Sequence, residues 1–398
     1  VDSSAASGNE FFKSPDVFVQ SLKLYNFRNL DNTEITFSSG INLILGPNGQ
    51  GKTNLIEAVS ALSSARSFRT SDIRELVRWG EQEGSVFGQI RIKEGDFKLG
   101  IIFRDGKREA YINDQRSKGL VEMIGRFTCI TFSPADLELV KGSPTERRKL
   151  VDRLGADLDP SIASSLINYQ RALNNKNALL KSYERDKTGL SAWNDVLAGP
   201  GATIVNNRRK LAAQLSMVAS KYYESFAPTD ELLTIESIDP WPTTTDLTAG
   251  VFREQLELVA ARELAAGTTV LGPHRDDFLV SLSGRDARSF ASQGQARSIV
   301  LALKLATLEI LESALGESPV VILDDVDSEL DLSRRAAFFS MIFSTQRQIF
   351  ITATEQSEPM RDATISPLIV GVREGRLKVE GVPSSSELRS ILESEKLA

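Results

Sequence analysis

Cysteine is nearly absent: Cys129 is the only one in 398 residues. A lone thiol within Phe127-Thr-Cys-Ile-Thr-Phe132 leaves no intrachain disulfide and no Cys-rich metal site, and it fits a reducing cytoplasm. No apolar run approaches the ~18 residues of a membrane span, and the start lacks a charged segment followed by an apolar one. The expectation is a cytoplasmic chain with no membrane partner. A basic excess is also missing, with 47 Lys plus Arg against 53 Asp plus Glu and a net charge of -6. Any nucleic-acid contact must therefore use a local basic patch. There is no internal repeat, and no low-complexity tract beyond the first residues. What is present is a 41% hydrophobic, 25% charged composition, enough for a sizeable core, in a length that predicts two lobes.

The small polar residues of 1–16 predict a flexible leader. Phe18–Leu24 and Thr33–Phe37 pattern as hairpin mates, whereas Ile41-Asn-Leu-Ile-Leu45 is apolar throughout, as in a strand covered on both faces. Leu55, Ile56, Val59 and Leu62 give a helical spacing over Thr53–Ala65. Strand-like runs at Val86–Ile92, Lys98–Phe103 and Ala110–Ile112 suggest an antiparallel sheet. From about Arg147 the pattern turns helical. Ile162, Tyr169 and Tyr183 with Leu166, Leu173 and Leu180, and later Ile204, Leu211 and Val218 with Leu215 and Tyr222, predict two packed antiparallel helices. Gly189, Trp193 and Gly199-Pro-Gly201 suggest a turn with a short helix between them, and Pro240-Trp-Pro242 another break. Strand character returns at Thr268–Leu271 and Phe278–Leu282. A helix from Gly294 to Leu315 and buried strands at Val320–Leu323 and Gln348–Thr352 follow. The expected organisation is a discontinuous α/β ATPase lobe with a mixed sheet (17–146 and 268–383), an inserted helical lobe (147–267) and a tail (384–398).

Between the apolar strand and the helix lies Gly46-Pro-Asn-Gly-Gln-Gly-Lys-Thr53, which satisfies the G-x-x-x-x-G-K-[ST] pattern in the required context. Its glycines let backbone N–H groups turn toward phosphates, Lys52 neutralises the β and γ oxygens, and Thr53 offers a hydroxyl to Mg2+. This predicts ATP as cofactor, held by Gly46, Pro47, Asn48, Gly49, Gln50, Gly51, Lys52 and Thr53. Far downstream, Val320-Val-Ile-Leu323 ends in Asp324 and Asp325, placing one carboxylate beside the metal with Thr53 and the other where water attacks. Asp325 also has a structural reading, as a residue that positions water or caps a turn. Ser292-Gln-Gly-Gln295 opens the next helix. It resembles the signature of ABC-type ATPases, in which Ser292, Gly294 and Gln295 would meet a nucleotide in trans. Read without that resemblance, it is a helix cap.

The series Tyr25-Asn-Phe-Arg-Asn29, the P-loop, Phe132-Ser-Pro-Ala-Asp136, Pro144-Thr-Glu-Arg-Arg148, Gly272-Pro-His-Arg-Asp-Asp277, Ser292-Gln-Gly-Gln295 and Asp324-Asp-Val-Asp-Ser-Glu-Leu-Asp331 resembles the motifs of the RecF recombination and repair proteins. The resemblance spans about Val17 to Gly381. It implies an ABC/SMC-type P-loop ATPase head with an inserted helical lobe. It also implies an ATP-dependent homodimer that binds single-stranded DNA and gapped duplex, and work with RecR and RecO to load RecA, from the cytoplasm or nucleoid. Carried over by residue, Gly49, Gly51 and Lys52 contact phosphate, Thr53 and Asp324 the metal, and Asp325 polarises water. Lys52, Asp324 and Asp325 are then the catalytic set, and Asp327 falls at the dimer interface. Two departures from the ABC pattern imply slow hydrolysis: Asp325 stands for the usual Glu, and Thr352 or Thr354 for the switch His. A confident Q-loop glutamine is not identifiable.

The only histidine, His274, reads as a hydrogen-bonded structural node rather than a catalyst. Arg66 and Arg69 either meet nucleotide or cover the sheet edge. For DNA phosphates the candidates are Arg147-Arg-Lys149 with Arg153, Asn206-Asn-Arg-Arg-Lys210, and Lys107-Arg108, each with the alternative of a solvated face. Three competing functions are a chromosome-tethering SMC-type head, a transporter's energising subunit and a DNA scaffold without hydrolysis. Arms of ~25 residues reach roughly 37 Å, short for a tether, and the missing switch His speaks against the transporter.

Overall fold

The computed structural model describes residues 15–182, 187–227, 230–241, 246–326, 330–354 and 367–379. The leader up to residue 14, Tyr183, Pro242, Asp327 and the tail lie outside them. Strand β1 (Phe18–Tyr25) pairs antiparallel with β2 (Thr33–Thr36), Leu22 opposite Ile35. The next strand, β3 (Ile41–Leu45), leaves for a different sheet and leads into helix α1 (Lys52–Ser64). Strands β4 (Glu83–Ile92), β5 (Gly95–Arg104), β6 (Lys107–Ile112) and β7 (Gln115–Arg116) then complete a six-stranded sheet ordered β2-β1-β4-β5-β6-β7. Its ladders are antiparallel, as expected. The two-residue loops Asp105-Gly106 and Asn113-Asp114 all sit at positive φ, the turn whose twist matches the flanking strands.

A second six-stranded sheet, ordered β15-β14-β3-β13-β12-β8, draws on both ends of the chain. Its members are β8 (Cys129–Phe132), β12 (Val320–Asp324), β13 (Ile349–Ala353), β14 (Leu368–Arg373) and β15 (Arg376–Val379) around β3. The strands are parallel except for β15. Both faces are covered, which explains the unbroken apolar runs. Leu43, Val321, Leu323 and Ile351 join one core, and Ile44, Ile322, Phe350 and Val370 join the core shared with α1 and the first sheet. Sequence reading did not foresee β14 and β15.

Between β8 and β12 run α2 (Glu138–Lys141), α3 (Pro144–Leu158), α4 (Pro160–Lys181) and α5 (Lys187–Phe226), then β9 (Leu233–Ile238), α6 (Ala249–Leu258) and α7 (Ala260–Ala266). They are followed by β10 (Asp277–Leu282), β11 (Arg285–Asp286), α8 (Ala287–Phe290) and α9 (Gln293–Leu315). Helix α10 (Leu332–Phe343) precedes β13. The predicted helix pair is α4 and α5, with Tyr169 and Leu173 packed in one core with Ile204 and Val205.

The structure departs from the sequence expectations at three places. No turn interrupts the chain at Gly189–Gly201: α5 is one helix of 40 residues with Pro200 inside it. Gly199 removes the Cβ that would crowd the proline ring. Gly201 lets the Phe252 ring approach so closely that a Cβ would lie 2.4 Å from it. Secondly, Thr268–Leu271 is not a strand, because its polar groups bind side chains: the Thr269 N–H donates to Asn177 Oδ1 at 2.7 Å, and the Val270 N–H to Glu263 Oε1 at 3.2 Å. Thirdly, the segment read as a helical lobe carries a strand, β9, paired antiparallel with β10.

Candidate active site

The P-loop turns where β3 ends. At Gly46 a Cβ would fall 2.2 Å from the Val372 carbonyl oxygen, and φ is +156°, so no other residue fits. Pro47, Asn48 and Gly49 form the exposed tip. The loop is braced from outside by the β14–β15 turn: Gln50 Oε1 accepts the Glu374 N–H at 2.6 Å, and its carbonyl accepts the Gly375 N–H at 3.0 Å. On the other side Asn29 accepts from Asn54 Nδ2 at 2.6 Å.

Gly51, at φ +120°, precedes α1 without a side-chain cap. The first-turn amides are therefore open to an anion, aided by the helix dipole. Lys52 is buried, and its Nζ donates to the carbonyls of Gly46 at 2.6 Å and Pro47 at 3.1 Å and to Asn48 Oδ1 at 3.3 Å. Desolvation lowers its pKa, against the raising influence of Asp325 and Asp324. An ammonium held by neutral oxygens in this way suits a phosphate.

Across the sheet, the Thr53 hydroxyl donates to Asp324 Oδ1 at 3.0 Å. The Thr352 hydroxyl donates to the same oxygen at 2.8 Å and accepts the Asp325 N–H at 3.0 Å. Asp324 is buried, and desolvation pushes its pKa up, opposed by the hydrogen bonds from Thr352 and Thr53. Asp325 is exposed and left-handed, φ +52°, a backbone setting that costs about 1 kcal/mol or more and is held by surrounding contacts. In the sequence, Thr352 or Thr354 stands for the missing switch His; the grip of Thr352 on both aspartates comes from the β12–β13 register.

These donors fit the cofactors expected. The loop amides, the α1 N-terminus and Lys52 would hold the triphosphate. Thr53 and Asp324 offer the hard oxygen ligands that Mg2+ prefers, and the cation would neutralise phosphate charge and keep Asp324 ionised.

The signature lies elsewhere. Ser292 is exposed and caps α9: its Oγ accepts the Gln295 N–H at 3.2 Å, and Gln295 Oε1 accepts the Ser292 N–H at 2.8 Å. A Cβ on Gly294 would meet the Arg334 guanidinium at 3.3 Å. Among the described residues, no hydrogen bond joins Ser292–Gln295 to the P-loop.

The basic clusters offered for DNA are largely internal. Arg147 is buried against Asp277 at 2.8 Å; Arg153 pairs with Asp157 at 2.6 Å. Arg208 is buried with Asp152 at 2.7 Å and Asp276 at 3.5 Å, and Arg209 pairs with Asp239. Arg148 donates to the Asp276 carbonyl at 2.6 Å and Arg108 to that of Ala65 at 2.7 Å. Lys107, Lys149 and Lys210 are exposed. Arg69 meets Asn54 at 2.7 Å and Glu57 at 3.6 Å, so it faces α1 beside the P-loop; Arg66 is exposed. His274 is a node: Nε2 faces the Thr269 carbonyl at 3.2 Å and must donate, so Nδ1 accepts the Tyr169 hydroxyl at 2.8 Å.

Residues 18–375 match the family described as RecF/RecN/SMC N terminal domain. The DNA replication and repair protein RecF of Oenococcus oeni is 35% identical over 91% of this chain and 99% of its own length. That of Myxococcus xanthus is 35% identical over 90% and 96%. A solved structure of the recombination mediator protein RecF–ATP in the RecFOR pathway is 32% identical with a TM-score of 0.84, covering 93% of this chain and 99% of that one. An Smc head domain from Pyrococcus furiosus, at 18% identity and a TM-score of 0.53 over 96% and 100%, shares the fold.

Proposed function

The chain belongs to the RecF family of DNA replication and repair proteins, and from that membership we propose that it is an ATP-gated DNA clamp with slow, DNA-stimulated hydrolysis. It has the ABC-type ATPase head fold of RecF. The observation that carries the proposal is the separation of two half-sites. Thr53, Asp324 and Asp325 converge within one chain, whereas Ser292 presents its cap outward with no bond to its own P-loop. A second copy supplying Ser292, Gly294 and Gln295 would complete the site, so ATP joins two heads.

In this reading Lys52 and the loop amides hold the phosphates, Thr53 and Asp324 hold Mg2+, and Asp325 orients the attacking water. Aspartate reaches less far than the usual glutamate, which keeps turnover slow. The assembled dimer would bind single-stranded and gapped duplex DNA, with RecR, RecO and RecA as pathway partners and the cytoplasm as its place. The two ends of the chain form the ATPase lobe and the helices between them the second lobe. The test is ATP turnover with and without gapped DNA for wild type and Asp325→Asn. DNA-stimulated turnover lost in the variant supports the proposal, and equal rates in both refute hydrolysis at this site.

A further inference from the structure

The signature cap is held from outside by a residue that no motif contains. Gln295 uses both ends of its amide: Oε1 accepts the Ser292 N–H at 2.8 Å, and Nε2 donates to Glu231 at 2.8 Å to Oε1 and 3.1 Å to Oε2. A carboxylate only accepts hydrogen bonds, so Glu231 compels the NH2 end of the amide to face it and the carbonyl end to face Ser292. Glu231 is in turn bonded by the hydroxyl of Tyr223 at 3.1 Å. Tyr223 is fully buried near the foot of α5, the 40-residue spine of the helical lobe. The segment before Ser292 is fixed similarly: Lys141 Nζ donates to the carbonyls of Ala287 and Arg288 at 3.1 Å each and of Ala291 at 2.5 Å.

We infer that Glu231 is a positioning residue for the signature, tying the foot of α5 through Gln295 to the rotation of the Ser292 cap. The inference rests on the proposed action of Ser292 in trans. Replacing Glu231 by lysine puts a donor against Gln295 Nε2. The amide then turns, its NH2 meets the Ser292 N–H, and the reciprocal cap opens. Glutamine keeps an acceptor at that point and preserves the amide's orientation.

The experiment measures ATP turnover of full-length variants, alone and in equal mixtures, together with binding of a fluorescent ATP analogue. Glu231→Lys should bind the analogue as wild type does, since its own P-loop is intact, and lose turnover by about tenfold or more. Glu231→Gln should retain most of it. Mixing Glu231→Lys with Lys52→Met should restore turnover to about a quarter of wild type, because half of randomly paired dimers hold one composite site of intact P-loop and intact signature. A purely structural defect would not be rescued in this way. Wild-type turnover by Glu231→Lys overturns the inference. So does failure of its mixture where Ser292→Ala mixed with Lys52→Met is restored. If neither mixture is restored, action in trans is wrong, and the inference falls with it.

Discussion

The hydroxyl of Thr53 lies 3.0 Å from Asp324 Oδ1 across 271 residues of chain. This contact joins the last residue of the P-loop to the end of a strand in the far part of the sequence. It exists because β3 and β12 flank β13, each parallel to it, so that the three strands end on the same side.

Burial raises the pKa of Asp324, so its ionised form carries a desolvation cost in the fold. Asp324→Asn should therefore lower ATP turnover by about 100-fold or more without lowering the melting temperature of the nucleotide-free protein at neutral pH. The sign follows from linkage: a carboxyl with a raised folded pKa stabilises in acid and loses that contribution as pH rises through the folded value. A large fall in the variant's melting temperature would contradict the assignment.

Arg208 should behave as a strut and not as a DNA contact. Its removal strands Asp152 and Asp276, and breaking a buried pair costs about 3–5 kcal/mol. Urea denaturation of Arg208→Ala should show that loss, while Lys210→Ala, on an exposed side chain, should leave stability unchanged. Equal stability of the two variants would refute the strut.

His274 is held neutral, burial pushing its pKa down to about 4. The folded form resists protonation, so its contribution is complete above the unfolded value of about 6.5 and is lost as pH falls toward about 4. Over that window, the stability of wild type relative to His274→Gln should decline by roughly 2–3 kcal/mol. A flat difference would mean the imidazole titrates normally.

Gly201→Ala drives a methyl into the Phe252 ring, 2.4 Å away, and should destabilise by about 1–3 kcal/mol. Calorimetry showing a gain would mean that Phe252 does not require a residue without a side chain at position 201.

The pieces of the proposed nucleotide site were legible because each is contiguous: Gly46–Thr53, the Val320–Asp325 strand end and the Ser292–Gln295 cap. Buried runs such as Ile41–Leu45 announced their strands directly. What escaped depends on distant partners. β9 needs β10 to be a strand, and α5 runs on through Gly199-Pro-Gly201 with Phe252 packed on Gly201. Clusters such as Arg147-Arg-Lys149 look like DNA patches until their acids are found, and Asp277 lies 130 residues from Arg147. The same limit hid Glu231, whose role appears only against Gln295, 64 residues on.

In the proposed function, ATP joins two heads through Ser292 so that they can hold DNA. Fluorescence anisotropy of a labelled gapped duplex, with ATP, ADP or no nucleotide at two salt concentrations, tests it most directly. Tight binding is expected with ATP alone, weakening steeply with salt and lost in both Lys52→Met and Ser292→Arg. Binding that is indifferent to nucleotide, or that survives Ser292→Arg, would contradict it.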